Sequence, residues 1–535
     1  MIPKTEQAEL RAKLFRHLDG IGTAPTAYAL YEKGVLSYLL EQGTCTLEAL
    51  NNRFSANEGY LNVALRILCS QGWLAQDTDN EKDEIQFSTN DKSARAFELS
   101  KLYKEVVGLL KLTEKFHPRK FEIEPFLFLE KIFDNYCNRY GLEEPSDDLE
   151  REIQEQVLTH IEGIILGPTI VHLGMSGMFH KYFMEASFKP EEFHKNPESF
   201  KRLLDMFTYV GWFTEKNGTF QFTEKGLFYA KRASAYGVTV SYIPTFRHLD
   251  DLIFGNPKIL ASSSGEEEKH VDRAMNVWGS GGAHAAYFKV VDEIIVEIFN
   301  QPIADQPKGI LDMGCGNGAF IQHLFDVIAQ QTIRGKMLDE YPLTLVGVDY
   351  NEAALKITKA NLVQADIWAK VIWGDIGRPD LLADDLKNNY NIKLGELLNV
   401  RTFLDHNRIW QEPEEVTVQS ASTGAYAYQG ARKNNNSVQA SLVEHFQKWS
   451  PYVKKFGLLL IELHTVDPSN VASHLGKTAV TAYDATHGFS DQYILEVEVF
   501  IEALEMAGLH AEKDRFRKFP NSELATVTVN LFKEN

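Results

Sequence analysis

The sequence predicts an α/β domain built on a parallel, doubly wound, Rossmann-like sheet, preceded by a mostly helical half with two winged-helix-like repeats. Three observations predict it. Two segments of the first half read as copies of one another. An apolar run at 309–328 passes from strand through a glycine loop into a helix, and from about residue 273 strands alternate with helices. Such alternation gives a parallel sheet whose ligands lie beyond the carboxyl ends of its strands.

The length of 535 residues suits two to four domains, and 44% hydrophobic with 24% charged residues is a globular composition. No stretch reaches the roughly 18 unbroken apolar residues of a membrane span. The longest, "GLLLIEL" at 457–463, has strand length. The N-terminus lacks the apolar core of a secretion signal. Cys45, Cys69, Cys137 and Cys315 form neither a CxxC pair nor a disulfide framework, so a cytoplasmic location is expected. A net charge of −19 argues against a nucleic-acid partner. The basic "RFRKF" at 515–519 reads as a solvated turn.

The first copy runs through "APTAYALYEKGVLSYLL" (24–40), "YLNVALRILCSQGWLAQ" (60–76) and "EIQFSTND" (84–91). The second runs through "GPTIVHLGMSGMFHKYFM" (167–184), "FKRLLDMFTYVGWFTEK" (200–216) and "TFQFTEKG" (219–226). Each starts on a small residue and Pro-Thr, and each puts Gly-Trp (Gly72 and Trp73, Gly211 and Trp212) where a helix gives way to a hairpin. Helices followed by a hairpin make a winged-helix unit. The helix at 60–74 carries one cation, Arg66, on a mostly apolar surface, which suits packing or dimerisation rather than groove reading. The expected divisions are 1–115, 116–270 with a helical connector and a second, lid-like unit, and 271–535; a homodimer is one expectation.

In the last division, Gly314, Gly316 and Gly318 let the backbone turn and bring its N–H groups and a helix N-terminus against a ligand. Asp349, with Tyr350 beside it, ends the second strand, where a carboxylate can accept from both ribose hydroxyls. Asp375, followed by Ile376, lies after the third strand, where an adenine amino group can be held. Gly314, Gly316 and Ala319 also satisfy the dinucleotide pattern. Asp312 before the loop, suited to a cationic amino-acid moiety, and the Gly-Asp element after the third strand point instead to S-adenosylmethionine. "LDMGCGNG", "VGVDYNEAAL" and "VIWGDIG" resemble the cofactor motifs of class I S-adenosylmethionine-dependent methyltransferases.

Around the expected sulfonium position the sequence gathers further polar residues. Asp405 and His406 follow the fourth strand in "RTFLDHNR", and Glu462 and His464 end the fifth in "IELHT". His487, Asp491 and Gln492 stand in "AYDATHGFSDQY" (482–493), and His284 and Tyr287 lie upstream in "MNVWGSGGAHAAYF". Each has a plain structural reading: Asp405 caps a helix, His464 bonds across a strand end, Gln492 ties a loop. His487 and Gln492, five apart, would not share a helix face, whereas a loop can bring them together. The polar segment 411–439 reads either as a lid over the acceptor or as a surface loop, with Tyr426 and Tyr428 able to reach inward.

The helical front half together with "RTFLDHNR", "LLIELHT" and "THGFSDQY" resembles the metal-dependent C-methyltransferases of cyanobacterial polyketide synthase loading modules, of the apratoxin and saxitoxin type. That resemblance implies methylation of the α carbon of a malonyl unit on an acyl carrier protein, assisted by iron or manganese. It implies His464, Gln492 and His487 as metal ligands and Asp405 as a further ligand or base. In that family an acetyltransferase-like domain can follow; none does here, so an excised domain or a stand-alone enzyme is expected. The alternative is a metal-independent O-methyltransferase with His406 or His464 as base. A regulator that only senses the cofactor fits the acidic charge and polar site poorly.

Overall fold

In the computed structural model, residues 2–112, 123–261, 268–281 and 284–534 are described, without the side chains of 123–126, 281, 284 and 285. Two long helices, α1 (Lys4–Lys33) and α3 (Asp148–Met175), bracket helix α2 (Glu58–Ser70) in the chain; α4 (Pro197–Tyr209) follows. The Pro-Thr pairs that mark the repeats lie inside α1 and α3 rather than at their starts. The duplication therefore reaches further back than the sequence reading placed it. "HLDGIGTAPT" (17–26) aligns without a gap with "HIEGIILGPT" (160–169), sharing the His, Gly, Ile, Pro and Thr positions.

Those ten residues cross one another. A Cβ on Gly20 would lie 2.3 Å from the His160 Cα, and one on Gly163 would lie 2.5 Å from the His17 carbonyl oxygen. Only glycine permits such an approach of two helix backbones. The crossing is reciprocal in its hydrogen bonds as well. His17 Nδ1 meets the Tyr236 hydroxyl at 2.8 Å, and His160 Nδ1 meets the Tyr103 hydroxyl at 2.8 Å. The front half is an internal pseudo-dimer.

Each copy ends its helix in the same way. Gly72 (φ 75°) and Gly211 (φ 82°) take the left-handed conformation that terminates α2 and α4. The following Trp73 and Trp212 N–H groups donate back to Leu68 and Phe207 at 3.0 and 2.8 Å. This is the Schellman arrangement, and its apolar residue then buries, worth roughly 3 kcal/mol of transfer free energy for each indole. Antiparallel hairpins follow, Ala75–Asp79 with Glu84–Ser88 and Phe213–Lys216 with Thr219–Phe222. Helix α3 is long and apolar enough to cross a membrane by composition, but 83% of its most apolar window is buried in this fold.

The C-terminal half is an α/β Rossmann-like domain. Its strands are β1 (Gly309–Met313), β2 (Thr344–Asp349), β3 (Lys370–Trp373), β4 (Leu397–Thr402), β5 (Leu458–Leu463), β6 (His510–Ala511), β7 (Arg517–Phe519) and β8 (Val527–Lys533). The order across the sheet is β6-β8-β5-β4-β1-β2-β3, with β7 also on β8. β1 to β5 are parallel and β8 runs antiparallel to β5. The chain reverses direction of travel between β1 and β4, the switch point where ligands of such sheets bind.

Segment 411–439 is neither a free lid nor a loose surface loop. Asn80 Nδ2 donates to the carbonyls of Ser420 and Ser422 at 2.7 and 2.9 Å. Glu496 accepts from Ser422 Oγ and Thr423 N at 2.7 and 2.9 Å. The segment then forms the hairpin Tyr426–Tyr428 with Ala431–Lys433, which lies on α2. Tyr426 is buried, its hydroxyl 2.8 Å from Ser422 Oγ.

Candidate active site

The glycine loop joins β1 to helix α5 (Ala319–Gln331), and Gly314, Gly316 and Gly318 all have left-handed φ (82°, 55° and 80°). The Gly316 N–H donates to Asp349 Oδ2 at 2.9 Å, so the acid at the end of β2 also fixes the loop. Asp312 is buried and no cation among the described residues pairs with it. Burial, and Asp349 nearby, push its carboxyl up to about 8. A buried acid without a counter-ion is what an incoming ammonium group completes, and this is the structural reason that the residues fit S-adenosylmethionine. Asp375 Oδ1 accepts from the Gly377 N–H at 2.7 Å, and the Ile376 carbonyl accepts at 2.7 Å from Nε1 of Trp449 on helix α6 (Asn435–Val453). Tyr350 is half exposed and packs against Trp373, with ring centroids 5.5 Å apart.

The loop after β4 lies over this one. Leu404 Cδ2 is 3.0 Å from where a Cβ on Gly314 would stand. Two residues on, His406 Nδ1 is 2.5 Å from Glu462 Oε1, at the end of β5. Glu462 is fixed in turn by the N–H groups of Asp405 (2.9 Å) and Leu463 (2.7 Å). The carboxylate holds Nδ1 in its protonated form and leaves the His406 Nε2 lone pair free.

His487 faces this pair, its ring centroid 5.0 Å from that of His406 at an angle of 72°. It stands on helix α7 (Val480–Gly488), not in a loop, and its Nδ1 donates to the Tyr483 carbonyl at 2.8 Å. Burial, and the neighbouring His406, lower its pKa to about 3, so it is neutral with its lone pair on Nε2. Gln492 follows in the turn after α7 and donates from Nε2 to the Tyr242 hydroxyl at 3.0 Å. The Tyr242 ring lies 6.1 Å from that of His487.

Three expected roles change. His464 does not join His487 and Gln492: its Nε2 is 2.8 Å from Thr528 Oγ1 and its Nδ1 3.1 Å from the Leu495 carbonyl. With both nitrogens engaged and its pKa lowered to about 3 by burial, it is a linchpin between β5 and β8. Among the described residues no three His, Cys, Asp or Glu are grouped to hold a metal ion. Asp405 is not a free base: it lies 2.5 Å from Arg401 Nη1 and 2.9 Å from His445 Nε2. Burial alone would raise its pKa, but Arg401 and His445 outweigh that and hold it at about 2. Tyr287 packs its ring against Phe403 and Phe519 at 6.0 and 5.0 Å, and burial raises its pKa. His284 opens the helix His284–Phe299, and its side chain lies outside the described residues.

Sequence reasoning missed the partners that arrive from far along the chain. Arg66 and Tyr60 on α2, Asp484 on α7 and Tyr242 all reach the site's surroundings. The available signal was Arg66 itself, a lone cation in an apolar helix, which requires a buried partner.

Residues 268–530 match the family model of the AprA MT2-like domain, 162–256 that of the AprA winged helix domain, and 10–76 that of the AprA N-terminal domain. No curated protein is significantly similar to the chain. Among solved structures, the mitomycin 7-O-methyltransferase MmcR is 12% identical, with 72% of this chain and 98% of that chain covered and a TM-score of 0.42. The DszA carbon methyltransferase is 12% identical, covering 78% and 98%, with a TM-score of 0.32. An O-methyltransferase family 2 protein from Planctomyces limnophilus is 11% identical, covering 100% and 98%, with a TM-score of 0.37. Likenesses this distant carry over no substrate.

Proposed function

We propose that this S-adenosylmethionine-dependent methyltransferase methylates the α carbon of a malonyl-type thioester presented by an acyl carrier protein. The observation that carries the reading is the Glu462–His406 pair facing the neutral His487 beyond the ends of β4 and β5. His406 Nε2 takes the α proton, and Glu462 compensates the imidazolium that forms. The Tyr242 hydroxyl accepts from Gln492 and keeps its own proton for the enolate oxygen. The cofactor, when bound, supplies an electrophilic methyl group on its sulfonium. Asp312 holds its ammonium end, Asp349 its ribose and Asp375 its adenine. The AprA MT2-like match supports methyl transfer by the last division, and the resemblance of "RTFLDHNR", "LLIELHT" and "THGFSDQY" to loading-module C-methyltransferases is what favours a carrier-bound acyl acceptor over a free small molecule. A divalent ion is not part of the proposal, because both His464 nitrogens are committed to Leu495 and Thr528.

The test is methyl transfer to malonyl acyl carrier protein, with the product's methyl position read by mass spectrometry before and after chelation. A methyl on the α carbon, at an unchanged rate after chelation, is expected. Methyl found on oxygen, or activity abolished by chelation, would overturn it.

A further inference from the structure

Helix α2 belongs to the first winged-helix copy, yet several of its side chains end in the catalytic half. Arg66 is buried and pairs through Nε with Asp484 Oδ2 at 3.0 Å. Its Nη2 donates to Thr465 Oγ1 and the Val466 carbonyl at 3.1 and 2.8 Å, and its Nη1 to the Thr423 carbonyl at 2.5 Å. Six residues earlier, the Tyr60 hydroxyl donates to Asp491 Oδ1 at 2.8 Å, while Asp491 Oδ2 accepts from the Gln429 N–H at 2.9 Å. Asp484 and Asp491 bracket His487. One side chain of α2 holds each end of the segment that carries it.

The second copy is an internal control. Counted from the shared Gly-Trp pair, Arg66 corresponds to Asp205 and Tyr60 to Ser199. The features that the unit's own fold requires recur in both copies: the Gly-Trp turn, the His-Tyr hydrogen bonds and the glycine crossing. Arg66 and Tyr60 do not recur. Burying a guanidinium is costly, and this one is fully compensated only by atoms of the catalytic half. Close packing fixes the same join, since a Cβ on Gly488 would fall 2.7 Å from Val63 Cγ1.

We infer that Arg66 and Tyr60 are positioning residues for methyl transfer: from the front half they hold segment 484–491 so that the His487 ring stays against His406. The inference rests on the acceptor-site reading above. A unit whose apolar helix suits packing or dimerisation thereby completes the active site of its own chain.

Arg66→Met alone would leave Asp484 buried without a counter-charge, so the charge-neutral pair Arg66→Met/Asp484→Asn is made beside the milder Tyr60→Phe. Hydrogen–deuterium exchange of peptides spanning 480–492 needs no acceptor. It is expected to quicken about tenfold in the paired variant and about threefold in Tyr60→Phe, with 309–331 unchanged. In the malonyl carrier assay, kcat should fall by similar factors while the Kd for S-adenosylmethionine holds. Unchanged protection of 480–492 in Tyr60→Phe overturns the inference, as does a kcat loss matched by an equal loss of cofactor affinity. If the paired variant does not fold, Tyr60→Phe decides alone. A fully active His406→Ala would sink the acceptor-site reading and leave the exchange result standing by itself.

Discussion

His406 and Glu462 come from loops and strands 56 positions apart and meet through a 2.5 Å hydrogen bond at the carboxyl edge of the sheet. The bond decides which imidazole nitrogen carries the proton, and so which one faces the acceptor.

Removing either partner separates chemistry from cofactor binding. His406→Ala is expected to lower kcat about 100-fold or more, and Glu462→Gln about tenfold or more, within the usual range for a positioned base. Cofactor affinity, measured by calorimetry, should be unchanged, because Asp312, Asp349 and the glycine loop are untouched.

Asp312 makes cofactor binding a proton-releasing event. In the free protein its carboxyl titrates at about 8, so it is protonated at pH 7. A bound ammonium favours the ionised form and expels that proton. Calorimetry at pH 7 in buffers of different ionisation enthalpy should show close to one proton released, falling towards zero above pH 8. Asp312→Asn should abolish the release and weaken binding.

The same shift makes a stability prediction of opposite sign. The folded pKa lies above the unfolded value, so stability is full below about pH 4 for this group and is lost as pH rises towards 8. Asp312→Asn should therefore raise the melting temperature of the ligand-free enzyme at pH 8.5 and leave it nearly unchanged at acid pH. Thermal scans at the two pH values check it.

His464 should behave as a structural residue. His464→Ala removes a buried ring that joins Thr528 to Leu495, for a loss of about 2–4 kcal/mol by denaturant titration. Methyl transfer per folded molecule should fall less than threefold, and the metal content of the purified protein should not change.

What the sequence made legible was local. The glycine loop, Asp349 and Asp375 are each within one strand-to-helix turn, where spacing alone fixes geometry. The Gly-Trp pairs were readable for the same reason, since a helix stop is a matter of a few residues. Asp405 reads as free because its partner His445 stands 40 residues on, and because Arg401, four residues before it on β4, pairs with it only where the chain folds back after the strand. His464 is a ligand only by the family resemblance; its plain reading, a bond across a strand end, is the one the fold realises, through Thr528 and Leu495, which lie 64 and 31 residues on. Segment 411–439 looked loose because its polar side chains bond to residues of the front half and to Glu496, far off in the chain.

The reciprocal glycine crossing of α1 and α3 has a consequence for anyone handling the gene. A Cβ on Gly22, two residues beyond Gly20 on α1, would fall 2.8 Å from the Ala485 Cβ of α7, so the same helix that closes the pseudo-dimer also touches the catalytic half. A fragment begun near residue 270 strips one wall from the active site, and grafting on the front half of a relative mismatches it. Recombination at that seam has to carry 480–492 along with α1 and α2 as a matched cassette, although several hundred residues separate them in the reading frame.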